Sequence, residues 1–184
     1  VLDGGQGIGK STIIKDLVTS EFYSETLSLT DMEDKAGAEK LQGFWAVEIG
    51  ELAGMKKADV EKVKAFLSVC DDKYRPSYGR VVESHPRQCI IIATVNGERG
   101  YLRDITGNRR FWIIKLHQKK QKQKWDFTPE FRAQFWAEAK EIWKSGEELF
   151  LRDEMLEEAE KIQQSAMEVD VLESVGGLMT FDKE

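Results

Sequence analysis

Cysteine, histidine and proline are scarce in this chain: two, two and three among 184 residues. Cys70 and Cys89 cannot build the disulfide framework of a small secreted domain, and a reduced, intracellular protein is the reading that fits. His85 and His117 are the only histidines and no Cys-x-x-Cys spacing occurs, so no zinc site is expected. No apolar run comes near the roughly 20 residues that cross a bilayer, and no signal peptide is visible. The expected location is therefore the cytoplasm, with no membrane partner. Internal repeats and low-complexity tracts are also missing. The length allows one sizeable domain and a small appendage.

An excess of positive charge is missing as well. The net charge is −6, which by itself argues against a nucleic-acid binder. Its distribution argues the other way. Residues 71–124 hold thirteen Lys/Arg against five Asp/Glu, whereas residues 1–70 hold eight against twelve and residues 125–184 hold six against sixteen. A basic middle third points to a local anionic partner, either nucleic acid or a bound nucleotide.

What is present starts at the fourth residue. Gly4-Gly5-Gln6-Gly7-Ile8-Gly9-Lys10-Ser11 matches G-x-x-x-x-G-K-[ST] with no position forced. Glycines let the backbone fold tightly and turn several N–H groups onto phosphate oxygens. Lys10 can reach the terminal phosphates, the Ser11 hydroxyl can ligate Mg²⁺, and the helix that follows points its positive end at the same anion. Gly4 to Thr12 are thus the expected nucleotide-binding residues, with ATP and Mg²⁺ the expected ligands. Only Val1 to Asp3 precede the loop, where a whole strand is expected, and Gly176 to Phe181 read as the start of a further element. The chain reads as a piece of a longer protein.

Apolar runs at Val1-Leu2, Leu27–Leu29, Phe44–Ile49, Cys89–Val95 and Phe111–Leu116 predict five strands. Helical or long segments join them, so the sheet should be mostly parallel with helices on both faces. Helices are predicted over Ser11–Val18, Asp34–Leu41, Ala58–Leu67, Glu130–Trp143 and Asp153–Glu168. Asp71 to Gln88, with Pro76 and Gly79 among Tyr and Arg, predicts a hairpin or extended loop. The five lysines between Lys115 and Lys124 predict a solvated loop. Phe131, Phe135, Ala139, Ile142 and Trp143 form one helical stripe, as do Leu156, Ala159 and Ile162, and both stripes are expected to pack inward. Asp153 is a candidate cap. The division expected is an ATPase core over 1–125, its first strand truncated, and a C-terminal helical segment over 126–184, incomplete at its end.

Hydrolysis needs more than a binding loop: a metal-organising carboxylate, an oriented water and charge neutralisation at the γ-phosphate. Glu48, at the end of the third run, is the candidate metal acid. Glu51, three residues later, is the candidate base, or an exposed loop acid. Asn96, ending the fourth run, could orient water or sense the γ-phosphate, or simply turn the chain beside Gly97. Arg109 and Arg110 precede the fifth run, where an arginine could reach a neighbouring subunit's nucleotide or form a surface salt bridge.

This order of motifs, with Phe-Trp-Ala-Val-Glu-Ile-Gly-Glu-Leu, Asp-Asp-Lys-Tyr-Arg-Pro-Ser-Tyr-Gly-Arg, Pro-Arg-Gln-Cys-Ile-Ile-Ile-Ala-Thr-Val-Asn and Leu-Arg-Asp-Ile-Thr-Gly-Asn-Arg-Arg-Phe-Trp, closely resembles the virulence-associated protein E family of phages, prophages and pathogenicity islands, over roughly residues 1 to 165. That family is similar to superfamily 3 helicases. The resemblance implies an AAA+-like core and a DNA-dependent ATPase, a replicative helicase of a mobile element in a bacterial host cell. It implies single-stranded or forked DNA as partner and a homo-oligomeric ring, a hexamer, in the full-length protein. By the family pattern Glu48 is the metal-site acid, Asn96 the sensor and Arg109 or Arg110 the finger. Lys64 and Tyr74 to Arg80 fall where superfamily 3 proteins place a DNA-contacting segment, with Lys64, Tyr74, Arg75, Tyr78 and Arg80 as its contacts. One departure stands: the carboxylates are spaced as Glu48-Ile49-Gly50-Glu51 rather than adjacent, which leaves the base open.

Two other readings fit the same motifs. One is an ATP-dependent DNA-binding assembly or regulatory module that does not unwind. The other is a small-molecule kinase, which leaves Asn96 and the arginine pair unexplained.

Overall fold

The structure, a computed structural model, describes residues 1–49, 57–97, 101–102, 108–117 and 127–167. Five strands form one sheet: β1 (Leu2–Asp3), β2 (Tyr23–Leu27), β3 (Ala46–Ile49), β6 (Ile90–Val95) and β7 (Ile114–Lys115), in the order β2-β3-β6-β1-β7. Every pairing in it is parallel, with Leu2 opposite Thr94 and Ile114, and Glu48 opposite Ile92. A separate antiparallel hairpin joins β4 (Asp71–Tyr74) to β5 (Glu83–Pro86). Helices α1 (Lys10–Val18), α2 (Lys35–Leu41), α3 (Lys57–Leu67), α4 (Pro129–Lys144) and α5 (Asp153–Ser165) complete the elements. Asp34 caps α2, accepting from the Ala36 N–H, and Thr128 caps α4, accepting from the Phe131 N–H.

Side-chain alternation along the strands sorts the core into two layers. Val47, Ile49, Ala93 and Val95 pack with Leu41 of α2, Val60, Val63 and Phe66 of α3, and Ala166 just past α5. Their sequence neighbours Ala46 and Ile92 face the other way and pack with Leu2, Tyr23 and Val18 of α1. The sheet is therefore covered on both faces, as its parallel strands require. Glu48 has the phase of Ala46, and Thr94 that of Ile92, so both belong to the α1 face.

Three of the expected strands change limits by two residues or more. The second runs Tyr23–Leu27 rather than Leu27–Leu29, because Tyr23 and Ser24 pair with Ala46 and Val47 at a polar edge that shows no apolar run. The third begins at Ala46; Trp45 just before it stacks on Phe22 at 4.6 Å and still bonds to the Phe22 carbonyl and the Ile90 N–H through its backbone, each at 2.9 Å. The fifth shortens to Ile114–Lys115, and its expected start, Phe111, follows a 3₁₀ turn at Asn108–Arg110.

The inward stripes of the C-terminal helices need the larger correction. No residue of α4 is buried; Phe131, Phe135, Ile142 and Trp143 are all exposed, and so is Leu156 of α5. α4 instead docks by donors on carbonyls near the end of α1, which the helix leaves without internal partners: Trp136 Nε1 to Leu17 O at 3.1 Å and Arg132 Nη1 to Asp16 O at 3.5 Å. Asp153 is the first residue of α5, with φ 48°, and Arg152 occupies the cap. α5 reaches the core through its end: Gln163 Nε2 donates to Phe111 O at 3.0 Å, and Ala166 is buried.

Candidate functional site

The candidate site lies at the carboxyl ends of β1, β3 and β6. The glycine loop leaves β1 and returns into α1 through Gly7 and Gly9, both at positive φ (74° and 88°), a backbone that glycine adopts without strain. Gly4 has a different need: a Cβ there would meet the Leu116 backbone oxygen at 2.7 Å. The loop is thus held between β6 and the end of β7, with the Gly4 N–H on Val95 O at 3.1 Å and the Leu116 N–H on Asp3 O at 2.7 Å. Gly9 caps α1 without a side-chain acceptor, so the N–H groups of the first turn face the loop's interior unclaimed by a capping side chain.

Lys10 is buried and folds back over the loop. Its ammonium donates to Gly4 O at 2.8 Å, Gly5 O at 2.9 Å and Asn96 Oδ1 at 2.9 Å. Asn96 lies 86 positions further along the chain. The Ser11 hydroxyl donates to Glu48 Oε1 at 2.8 Å, and Thr94 Oγ1 donates to the same oxygen at 3.2 Å. The second carboxylate oxygen, Oε2, accepts from the Tyr23 hydroxyl. Burial, with the Glu48 carboxylate beside it, pushes the Tyr23 phenol well above its ordinary value. Lys10, Ser11, Glu48 and Asn96 therefore meet in one cluster, while Glu51 lies outside the described residues. Tyr23 and Thr94 escaped the sequence reading. Tyr23 sits in a stretch without an apolar run, and Thr94 reads as one more β-former.

Among the described residues no three His, Cys, Asp or Glu side chains gather into a metal cage. The donor set suits Mg²⁺ nonetheless, which commonly takes one or two carboxylates and leaves its other positions to water and substrate phosphates. Ser11 Oγ and Glu48 Oε1 stand 2.8 Å apart. Neighbouring ligands of an octahedral Mg²⁺ have about that spacing when each sits about 2.1 Å from the ion.

The two late arginines part company. Arg110 Nε donates to Ser68 Oγ, just past α3, at 2.8 Å. Arg109 is exposed, with no side-chain partner among the described residues.

The hairpin shows a similar division. Arg75, Tyr78 and Arg80 lie on its exposed tip, where Tyr78 is fully solvent-accessible with φ 67° and the Gly79 N–H closes a turn on Pro76 O at 2.9 Å. Two residues expected on that surface are not on it. Tyr74 is buried and stacks on His85 at 4.3 Å. Lys64 is buried and pairs with Glu61 at 3.2 Å. Each packs inward because its element, β4 or α3, turns that face to the domain. Arg87, in the sequence merely one basic charge of the middle third, is the hairpin's anchor. It grips Asp72 through Nε and Nη2, each at 2.7 Å, donates from Nη1 to Phe66 O, and lies 4.1 Å from the Phe66 ring centroid.

No described helix is long and apolar enough to cross a membrane. The fold and the cluster define a parallel α/β domain with a cation-lined glycine loop facing a carboxylate across two strand ends. The chain belongs to the virulence-associated protein E-like domain family, whose model matches residues 1–168. Two solved structures are similar in part, both described as the A-form apo structure of the NrS-1 C-terminal region. One is 17% identical over 75% of this chain, with a TM-score of 0.43; the other is 16% identical over all of it, also at 0.43. This chain spans 33% and 41% of their respective lengths. No curated protein matches.

Proposed function

We propose that this domain hydrolyses ATP with Mg²⁺ in a DNA-dependent manner, and that it is the motor of a replicative helicase of a phage or other mobile element. One observation carries the reading: residues 86 and 37 positions apart, Lys10 with Asn96 and Ser11 with Glu48, are brought into direct contact beside the glycine loop. The strand order supports an AAA+-like phosphate-loop core. The chain leaves β1, an inner strand, for the far edge at β2, and both of β1's neighbours arrive later, so the loop opens where open α/β sheets bind their ligands.

In this reading the first-turn N–H groups of α1 receive the phosphates, and the Lys10 ammonium exchanges the loop carbonyls for phosphate oxygens. Ser11 and Glu48 would hold Mg²⁺, which when bound would supply charge neutralisation at the phosphates. Asn96, already on Lys10, orients the attacking water or senses the γ-phosphate, and Glu51 is the base. The exposed tip residues Arg75, Tyr78 and Arg80 contact DNA, the arginines on phosphate and Tyr78 by stacking on unpaired bases. Arg109 reaches a neighbour's nucleotide in a homo-oligomeric ring, proposed as a hexamer.

Steady-state ATP turnover by the full-length protein, with and without single-stranded DNA, tests this. Turnover should rise with DNA and vanish in Lys10→Ala, whose fold is checked by melting. Absence of turnover in the wild type, or its survival in a folded Lys10→Ala protein, refutes the reading. Strand displacement separates a helicase from a DNA-binding assembly module.

A further inference from the structure

We propose that Tyr23 is a positioning residue for the metal site: its hydroxyl holds the outer oxygen of Glu48 so that the inner oxygen faces Ser11. The proposal rests on the ATPase reading above and goes beyond it, since only Ser11 and Glu48 were assigned to the metal.

Among the described residues the donors that meet Glu48 are hydroxyls from three separate elements: Ser11 on α1, Thr94 on β6 and Tyr23 on β2. Their neutrality matters. A lysine or arginine would orient the carboxylate equally well but would cancel the charge that attracts a dication. Hydroxyl donors fix direction and leave the charge in place. Their division matters too. Ser11 and Thr94 share Oε1, the oxygen nearest the loop, so a metal entering beside Ser11 disturbs that side of the carboxylate. Among the described residues the donor on Oε2 is Tyr23, so that bond need not break when Oε1 turns to a metal. Outer partners of this kind commonly determine how a ligand side chain is aimed.

Tyr23 is itself firmly held. It is buried among Leu2, Val18, Ala46 and Ile92, and the Lys15 ammonium lies 5.7 Å from its ring centroid. Its neighbour Phe22 stacks on Trp45, which meets Trp136 of α4 edge-on at 5.7 Å.

The test is Tyr23→Phe in the full-length protein, which removes one oxygen and keeps the ring. Mn²⁺ binding is followed by electron paramagnetic resonance with a non-hydrolysable ATP analogue present, and analogue binding is also measured without metal. Mn²⁺ affinity should fall about tenfold, the lower end for loss of an outer partner of a metal ligand. Metal-free analogue binding should not change. Unchanged Mn²⁺ affinity, or equal loss of both, overturns the proposal while leaving the ATPase reading intact. A wild-type protein that binds no analogue overturns that reading instead, and this proposal with it. Should Tyr23→Phe fail to fold, 3-fluorotyrosine at position 23 alone gives a second measurement: its fluorine resonance should shift when Mg²⁺ joins the analogue, and a resonance indifferent to Mg²⁺ overturns the proposal.

Discussion

Replacing Arg87 by Met should be among the most damaging single changes in the domain, although Arg87 touches no part of the glycine loop cluster. Arg87 and Asp72 are both nearly buried, with side chains 9% and 7% exposed, and are joined by two bonds of 2.7 Å. Removing one partner leaves a buried carboxylate without its countercharge, which costs about 3–5 kcal/mol. The same guanidinium ties the hairpin to α3 through Phe66 O and the Phe66 ring, so no other group inherits the load. At about 2–4 °C per kcal/mol for a chain of this size, the melting temperature should drop by roughly 6–20 °C. Urea denaturation of the wild type, Arg87→Met, Asp72→Leu and the double variant closes the cycle. The double variant should recover most of the loss, because an apolar pair in place of a buried ion pair is commonly neutral or better. DNA affinity adds a functional arm: Arg87→Met should weaken binding with every tip residue intact, because the tip is no longer held. A loss below about 1 kcal/mol, or a double variant no more stable than Arg87→Met, refutes the idea that this buried pair anchors the hairpin.

Glu48→Gln should lower Mg²⁺-dependent turnover by at least about tenfold, read as turnover against Mg²⁺ concentration. Glu51→Gln should spare nucleotide binding and slow turnover; a wild-type rate would place the base elsewhere. Charge reversal at Arg75 and Arg80 should weaken single-stranded DNA binding and flatten its log–log salt dependence by about 0.7 for each phosphate that is no longer neutralised, and an unchanged isotherm would reject the tip as the DNA surface. Full-length Arg109→Ala mixed with Lys10→Ala should recover some ATP turnover if Arg109 acts in trans, whereas no recovery despite demonstrated subunit exchange would confine it to its own subunit. Burial pushes the ionisation of Tyr23, Tyr74 and Tyr101 to higher pH, with Glu48 adding to it at Tyr23 and Asp3 at Tyr101. Stability from these neutral phenols is fully present below pH about 10 and is lost as pH rises through their folded values. Phenolate absorbance of Tyr23, Tyr74 and Tyr101 should therefore appear together, as the fold opens.

The local chemistry was legible in the sequence, because it depends on neighbours along the chain. The glycine loop, the start of α1, the apolar runs that became β3 and β6, and the family resemblance that the match over residues 1–168 bears out all rest on residues close in sequence. Glu48 and Asn96 were legible as strand-end polar residues for the same reason. What two distant segments do to each other was not. Tyr23 acquires its partner only when β2 lies beside β3, and Arg87 becomes an anchor rather than a surface charge only when the hairpin folds onto α3. Lys64 and Tyr74 carry the same chemistry in the sequence as Arg75 and Tyr78, and only the facing of α3 and β4 takes them inside. The stripe on α4 marks a helix correctly, but periodicity records only that one face is apolar. Whether that face is covered depends on what packs against it, and here the tertiary contacts reach α4 through Arg132 and Trp136 while Phe131, Phe135 and Trp143 stay exposed.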